Sequence, residues 1–177
     1  RYIAVTGVQT CALPICGKIL SISIVHEKLY RSRDFQNVAL HEYVTDLLNS
    51  LRTTTPVDRE IQTEVSIDEN IILDTHTLIP IGLILTELFT NSSKYVTPQA
   101  GTSVEFRVTA QKTASGLSLR IADNGPGIPS LVGRNLKDIA SSEGIGLTLV
   151  ENLVEQIDGS VEIEAPPGLQ IKLQIPL

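Results

Sequence analysis

The run Leu78 to Tyr95, LIPIGLILTELFTNSSKY, is apolar nearly all round in its first half, where Ile79, Ile81, Leu83, Ile84 and Leu85 follow one another. A helix with that pattern cannot lie on a surface and has to be covered by other elements. Aromatic residues make up only 4% of the chain, so the cover has to come from Ile, Leu and Val. Asp74 or Thr75 is placed to cap this helix, and Pro80 is expected in its first turn. Its second half turns polar. Glu87 and Asn91 are four residues apart and Lys94 three further on, so all three share one face.

The cover is legible as strands. Ile61, Thr63, Val65 and Ile67 alternate with polar residues, Asp68-Glu69-Asn70 turns, and Ile71-Ile72-Leu73 reads as a short second strand. Val104, Phe106 and Val108 form another. Ser115-Gly116 turns the chain into Leu117-Ser118-Leu119-Arg120-Ile121-Ala122-Asp123. A helix from Gly146 to Ile157 is stopped at Asp158-Gly159 in C-cap style. Val161–Ala165 and Leu169–Leu177 close the chain around Pro166-Pro167-Gly168. Upstream, Ile19, Ile22, Val25 and Leu29 mark one amphipathic helix, and Leu40, Val44, Leu47, Leu48 and Leu51 a second. The pattern predicts an α+β fold: a two-layer α/β sandwich with helices over one face of a mixed, mainly antiparallel sheet, preceded by a helical remnant.

At 177 residues the chain suffices for one domain and a small appendage; a chain of this size hides roughly 70% of its unfolded surface. Lys and Arg number 14 against 20 Asp and Glu, a net charge of −6. That balance speaks against a general nucleic-acid surface. No apolar run approaches about 18 residues, so no membrane contact is expected from this segment.

Residues 1–16 stand apart. Val5 to Ile15, VTGVQTCALPI, follows neither a helical nor a strand period, and it reads as the translation of a sequencing-adapter oligonucleotide with Cys16 at the junction. Both cysteines, Cys11 and Cys16, fall there and say nothing about redox compartment. The expected division is 1–16 non-native, 17–55 a helical hairpin and connector, and 56–177 the main domain, with native sequence lost upstream.

Three motifs carry the chemistry. The first is Glu87 to Asn91, with Lys94 and Tyr95, in ELFTNSSKY. An Asn amide oxygen is a hard donor suited to Mg²⁺, which binds few protein ligands and keeps phosphates and waters. A Glu one turn away can orient or deprotonate an attacking group. The second motif is Asp123, Gly125, Gly127 and Ile128 in DNGPGIP. Period two puts Asp123 on the inward face with Leu117, Leu119 and Ile121, where a carboxylate needs donors such as the exocyclic amine of adenine. Gly125 and Gly127 permit positive φ and close approach to a ligand. The third is Gly144, Ile145, Gly146 and Leu147, a glycine-opened helix start whose free N–H groups suit phosphate. Between the second and third, Ser130 to Glu143 is the candidate lid. Each motif alone has a plain alternative: a helix emerging into solvent, an Asp-Asn-Gly turn, a glycine-rich helix start. His26, His41 and His76 lack metal-like partners and read as surface or packing residues.

Taken together and in this order, the motifs resemble those of the ATPase superfamily of gyrase, Hsp90-type chaperones, histidine kinases and mismatch-repair proteins, whose nucleotide-binding unit is the Bergerat-type fold. ISIVHEKLYRS resembles the second helix of the dimerisation and phosphotransfer hairpin in one subclass of bacterial sensor histidine kinases. The resemblance implies ATP and Mg²⁺ as ligands, Asn91 on the metal, Glu87 near the attacking histidine, Asp123 on adenine, and Lys94 on phosphate. Gly125, Gly127, Gly144 and Gly146 would surround the nucleotide, with Tyr95, Ile128, Ile145 and Leu147 beside them. It also implies transfer of the γ-phosphoryl to a histidine, relay to the receiver domain of a response regulator, a homodimer through the hairpin, and a cytoplasmic site of action with any membrane tether upstream. The acceptor histidine of the family lies on the first hairpin helix, where residues 1–16 stand, so this fragment is expected to bind ATP without labelling itself. A serine kinase of the anti-sigma-factor type and a non-catalytic nucleotide-sensing module are the competing readings.

Overall fold

The computed structural model describes residues 19, 23, 37–54, 61–96, 103–127, 145–164 and 168–177. The elements run β1 (Asn37–Ala39), α1 (Leu40–Thr54), β2 (Ile61–Ile67), β3 (Ile72–Asp74), α2 (Thr75–Tyr95), β4 (Val104–Thr113), β5 (Gly116–Asp123), α3 (Ile145–Gln156), β6 (Ser160–Glu164) and β7 (Gln170–Ile175). Five strands form one sheet in the order β2-β4-β5-β7-β6. Only the β2–β4 pair is parallel, with Ile61 opposite Val104 and Ile67 opposite Ala110. Parallel neighbours need a crossover, and α2 supplies it. The remaining pairs are antiparallel. This is the expected α+β sandwich, with the helices packed on one face.

The buried helix is the spine of the molecule. Asp74 caps it, accepting a hydrogen bond from the Thr77 backbone N–H at 2.9 Å. The helix therefore begins at Thr75, and Pro80 lies in its interior rather than in its first turn. Pro80 forgoes one backbone bond to the preceding turn; the burial of Leu78, Ile81, Ile84 and Leu85 around it offsets that loss. Ile81, Ile84, Leu85, Leu88 and Phe89 are buried against the sheet. Phe89 meets Phe106 of β4 edge to face, with ring centroids 5.3 Å apart.

Helix α1, grouped with the hairpin in the sequence, shares this core. Leu40, Tyr43, Val44, Leu47, Leu48 and Leu51 are buried in the same cluster as α2 and the sheet. The Tyr43 hydroxyl sits on the backbone of Gly82: a Cβ there would lie 1.7 Å from it. Ile72–Asp74 is a strand, as expected of this stretch, but it joins no central strand. It pairs with β1 in a separate two-stranded sheet, Val38 opposite Leu73. Helix α3 ends at Gln156, and the left-handed residue after it is Asp158 (φ 50°) rather than the glycine. The Gly159 N–H closes the turn on the Val154 carbonyl at 2.9 Å.

Apart from Ile19 and Ser23, the expected helix of residues 19–29 with His26 lies outside the described residues, as do the lid, Ile128, Gly144 and residues 1–16. Among the described residues no helix is long and apolar enough to cross a membrane.

Candidate functional site

The C-terminal half of α2 meets both glycine segments. Strand β5 buries Leu117, Leu119 and Ile121 on its inner face, and Asp123 follows on that face, half-buried. Its carboxylate is held by three donors. Ser92 Oγ of α2 donates to Oδ2 at 2.7 Å. The Gly125 N–H donates to Oδ1 at 2.9 Å and the Leu169 N–H to the same oxygen at 3.1 Å. A carboxylate has about four lone-pair positions. Among the described residues, these three bonds leave one position, on Oδ2, for a further donor.

The turn after Asp123 is fixed from both sides. Asn124 accepts from the Glu105 N–H and donates to the Ser103 carbonyl, each at 2.9 Å. Gly127 adopts a positive φ of 67°. Gly125 does not, and its need for glycine is steric: a Cβ would meet Val96 Cγ2 at 2.8 Å. The expectation of positive φ thus holds at one of the two glycines, and close packing explains the other.

Helix α3 opens at Ile145, and its N-terminal turn rests on α2. A Cβ on Gly146 would lie 2.5 Å from Glu87 Oε1 and 3.4 Å from Asn91 Nδ2. Glu87 and Asn91 are both half-buried, as α2 placement requires, while Lys94 and Tyr95 are exposed at its end, Tyr95 by 74%. Leu147 is buried in the core, which makes it a packing residue of the helix start. The structure therefore brings Glu87, Asn91, Asp123, Gly125 and Gly146 around one end of α2.

Two contributors have weak sequence signals. Ser92 was legible only as a polar residue on an otherwise buried helix. Gly168 read as part of a plain turn, yet it has φ 86° and its Cβ would lie 1.8 Å from the Asp123 carbonyl. The β6–β7 turn thus carries the Leu169 N–H up to the acid.

The residues fit a nucleotide. The glycine surfaces leave backbone open beside a carboxylate with one free acceptor position. The donor set of Asn91 and Glu87 is hard oxygen chemistry. Among the described residues no group of three or more His, Cys, Asp or Glu could hold a metal, so Mg²⁺ here would draw most of its ligands from phosphate and water. A groove of about 600 Å³ lies on the opposite sheet face. None of the three motifs lines it. Its cations are already matched: Arg107 with Glu64, Arg120 with Glu164 at 3.3 Å, Lys172 with Glu162 at 3.8 Å. The described residues of the three motifs gather instead at the α2 end.

Comparison with known proteins bears on the family and the fold. Residues 77–177 match the family described as histidine kinase-, DNA gyrase B- and HSP90-like ATPases. The chain belongs to that family. Residues 8–55 match a second family, described as histidine kinase, so the chain is an ATPase domain of the histidine kinase kind, and nucleotide use follows from membership. The sensor histidine kinase PdtaS of Mycobacterium tuberculosis is 27% identical over 163 residues, covering 90% of this chain and 31% of PdtaS. The autoinducer 2 sensor kinase/phosphatase LuxQ of Vibrio vulnificus is 30% identical over 186 residues, covering 93% of this chain and 21% of LuxQ. The chain thus spans about a third or less of these relatives. The histidine kinase domain of the Erythrobacter litoralis EL346 blue-light activated kinase superposes with a TM-score of 0.73 at 16% identity, covering 93% of this chain and 75% of that one. It shares the fold.

Proposed function

We propose that this domain binds Mg-ATP and serves as the catalytic part of a two-component sensor histidine kinase. The observation that carries the reading is the convergence of a tethered inward acid, Asp123, with Glu87 and Asn91 across the open backbone of Gly146. Asp123 accepts from the adenine amine at its remaining lone pair. Gly125, Gly127 and Gly146 admit the nucleotide close to the backbone, with Tyr95 beside them. The α3 N-terminus and Lys94 face the phosphates. Asn91 would hold Mg²⁺, which when bound neutralises charge on the phosphates. Glu87 orients and accepts the proton of the attacking imidazole. The intact protein would dimerise through its upstream hairpin, act in the cytoplasm, and pass the phosphoryl group to a response-regulator receiver domain.

The packed ATPase unit, in this reading, begins at Asn37, because α1 is part of its core. Residues 1–16 are adapter-derived. The hairpin match opens at residue 8 and overlaps that segment, and the coding DNA decides between adapter and native codons.

Calorimetric titration with ATP and Mg²⁺ tests the binding half: saturable binding that Asp123→Asn weakens is expected, and an unaltered chain that takes up no ATP removes the reading. The transfer half is tested in the intact protein, where Glu87→Ala should abolish histidine phosphorylation while ATP still binds.

A further inference from the structure

The hydroxyls of α2 divide into two kinds. Thr86 Oγ1 bonds back to the Gly82 carbonyl at 2.8 Å, Thr90 Oγ1 to Thr86 at 2.6 Å, and Ser93 Oγ to Thr90 at 2.7 Å. These are local bonds that satisfy a polar group within its own helix. Ser92 departs from this habit. It is 4% exposed, yet its hydroxyl reaches across to Asp123 Oδ2, 31 residues along the chain. A hydroxyl has one proton and two lone pairs. With the proton committed to Asp123, Ser92 can offer a ligand only acceptor positions. Asp123 is likewise acceptor-only when ionised, and its other oxygen is filled by the Gly125 and Leu169 N–H groups.

We infer that Ser92 is a positioning and specificity residue: it locks the Asp123 carboxylate so that the pocket shows the purine an all-acceptor edge, which admits a 6-amino base and rejects a 6-oxo base. This rests on the nucleotide reading above and deepens it. A 6-amino group donates into that edge. A 6-oxo group would face it lone pair to lone pair, leaving buried acceptors unmatched, and such mismatches discriminate far more strongly than lost apolar contact. Without Ser92 the carboxylate keeps its Oδ1 tethers but can turn or recruit water at Oδ2, and water can present a proton to a 6-oxo group.

The test is a calorimetric titration of the chain with ATP and with inosine triphosphate, whose base carries a 6-oxo group and an N1–H where adenine carries a 6-amino group and an N1 acceptor. The unaltered chain should prefer ATP by about a hundredfold. Ser92→Ala should reduce that ratio by about tenfold, mainly through weaker ATP binding, and Ser92→Cys, with a weak S–H donor, should fall between. A merely structural role would weaken both nucleotides equally. Alanine is the better helix former, which favours folding of the variant. Should Ser92→Ala fail to fold, Ser92→Cys and the ATP-to-inosine ratio of the unaltered chain carry the decision. An unchanged ratio in the variants, or no ATP preference in an unaltered chain that binds both nucleotides, overturns this inference alone. Failure to bind either nucleotide overturns the parent reading with it.

Discussion

Gly146 lies against Glu87 so closely that the smallest side chain would reach 2.5 Å from its Oε1. The contact joins the start of α3 to the polar face of α2 and fixes where the carboxylate can stand. Gly146→Ala should therefore displace Glu87 while leaving the fold intact, since Ala gains up to about 1 kcal/mol over Gly in a helix. Misplacing a reacting group by about 1 Å can cost about a hundredfold in rate, and Glu87 is the group proposed to face the attacking imidazole. The expected result in the intact protein is a steep fall in histidine phosphorylation with an unchanged or slightly raised Tm. Wild-type transfer rates in the variant would show that Glu87 has room to stay in place.

Much of this arrangement could be read from the chain alone. The alternation in Leu117–Ile121 correctly turned Asp123 inward, and the apolar first half of Leu78–Tyr95 correctly demanded burial. What could not be read is what depends on distant partners. Asn37–Ala39 is only three residues long and exists as a strand because Val38 finds Leu73. The parallel pairing of β2 with β4 leaves no trace in either strand. Ser92 and Gly168 matter through Asp123, 31 and 45 residues away, and nothing in their local sequence points there. Pro80 in the helix interior follows from a cap at Asp74, four residues before the apolar pattern begins at Leu78.

Gly168 holds the other side of Asp123. With φ at 86° and its would-be Cβ 1.8 Å from the Asp123 carbonyl, it tolerates no side chain. Gly168→Ala should cost roughly 2–4 kcal/mol from left-handed strain and overpacking, seen as a Tm lower by about 2–4 °C for each kcal/mol. It should also weaken ATP binding, because the Leu169 N–H moves off Asp123 Oδ1. Gly159→Ala, which crowds the Gln174 carbonyl and Val154 at 3.1 Å, is the control: it should lower Tm and leave ATP affinity alone. Equal affinity loss in both variants would mean that general loosening, not the tether, is responsible.

The Asp74 cap gives stability a pH dependence of known sign. The hydrogen bond from the Thr77 N–H holds the Asp74 carboxyl below its ordinary value, with His76 adding a smaller push in the same direction. A group depressed in the folded state stabilises above its unfolded pKa, about 3.9, and that contribution disappears as the pH drops through the lower folded value. Asp74→Ala should cost about 1 kcal/mol at pH 7. Asp74→Asn, which still caps, should cost less. Denaturant titrations across pH 7 to 2.5 should show the wild-type advantage over Asn shrinking below about pH 4; an advantage that persists at the acid end would exclude the charge as its source.

Tyr43 and Gly82 offer a direct test of whether α1 is part of the ATPase core. Tyr43 is fully buried, and burial pushes its phenol pKa up. Its hydroxyl occupies the space that a Cβ on Gly82 would need, at 1.7 Å. Gly82→Ala should therefore destabilise by roughly 1–3 kcal/mol through overpacking, despite the better helix propensity of Ala. Tyr43→Phe should cost about 1 kcal/mol or less by deleting a buried hydroxyl. Combined, the two should cost less than their sum, because the hydroxyl that blocks the methyl is gone. The double-mutant cycle reads this coupling from urea midpoints at constant slope. Simple additivity would mean that α1 can withdraw from α2 without the core noticing, and the boundary at Asn37 would then have to move past Thr54.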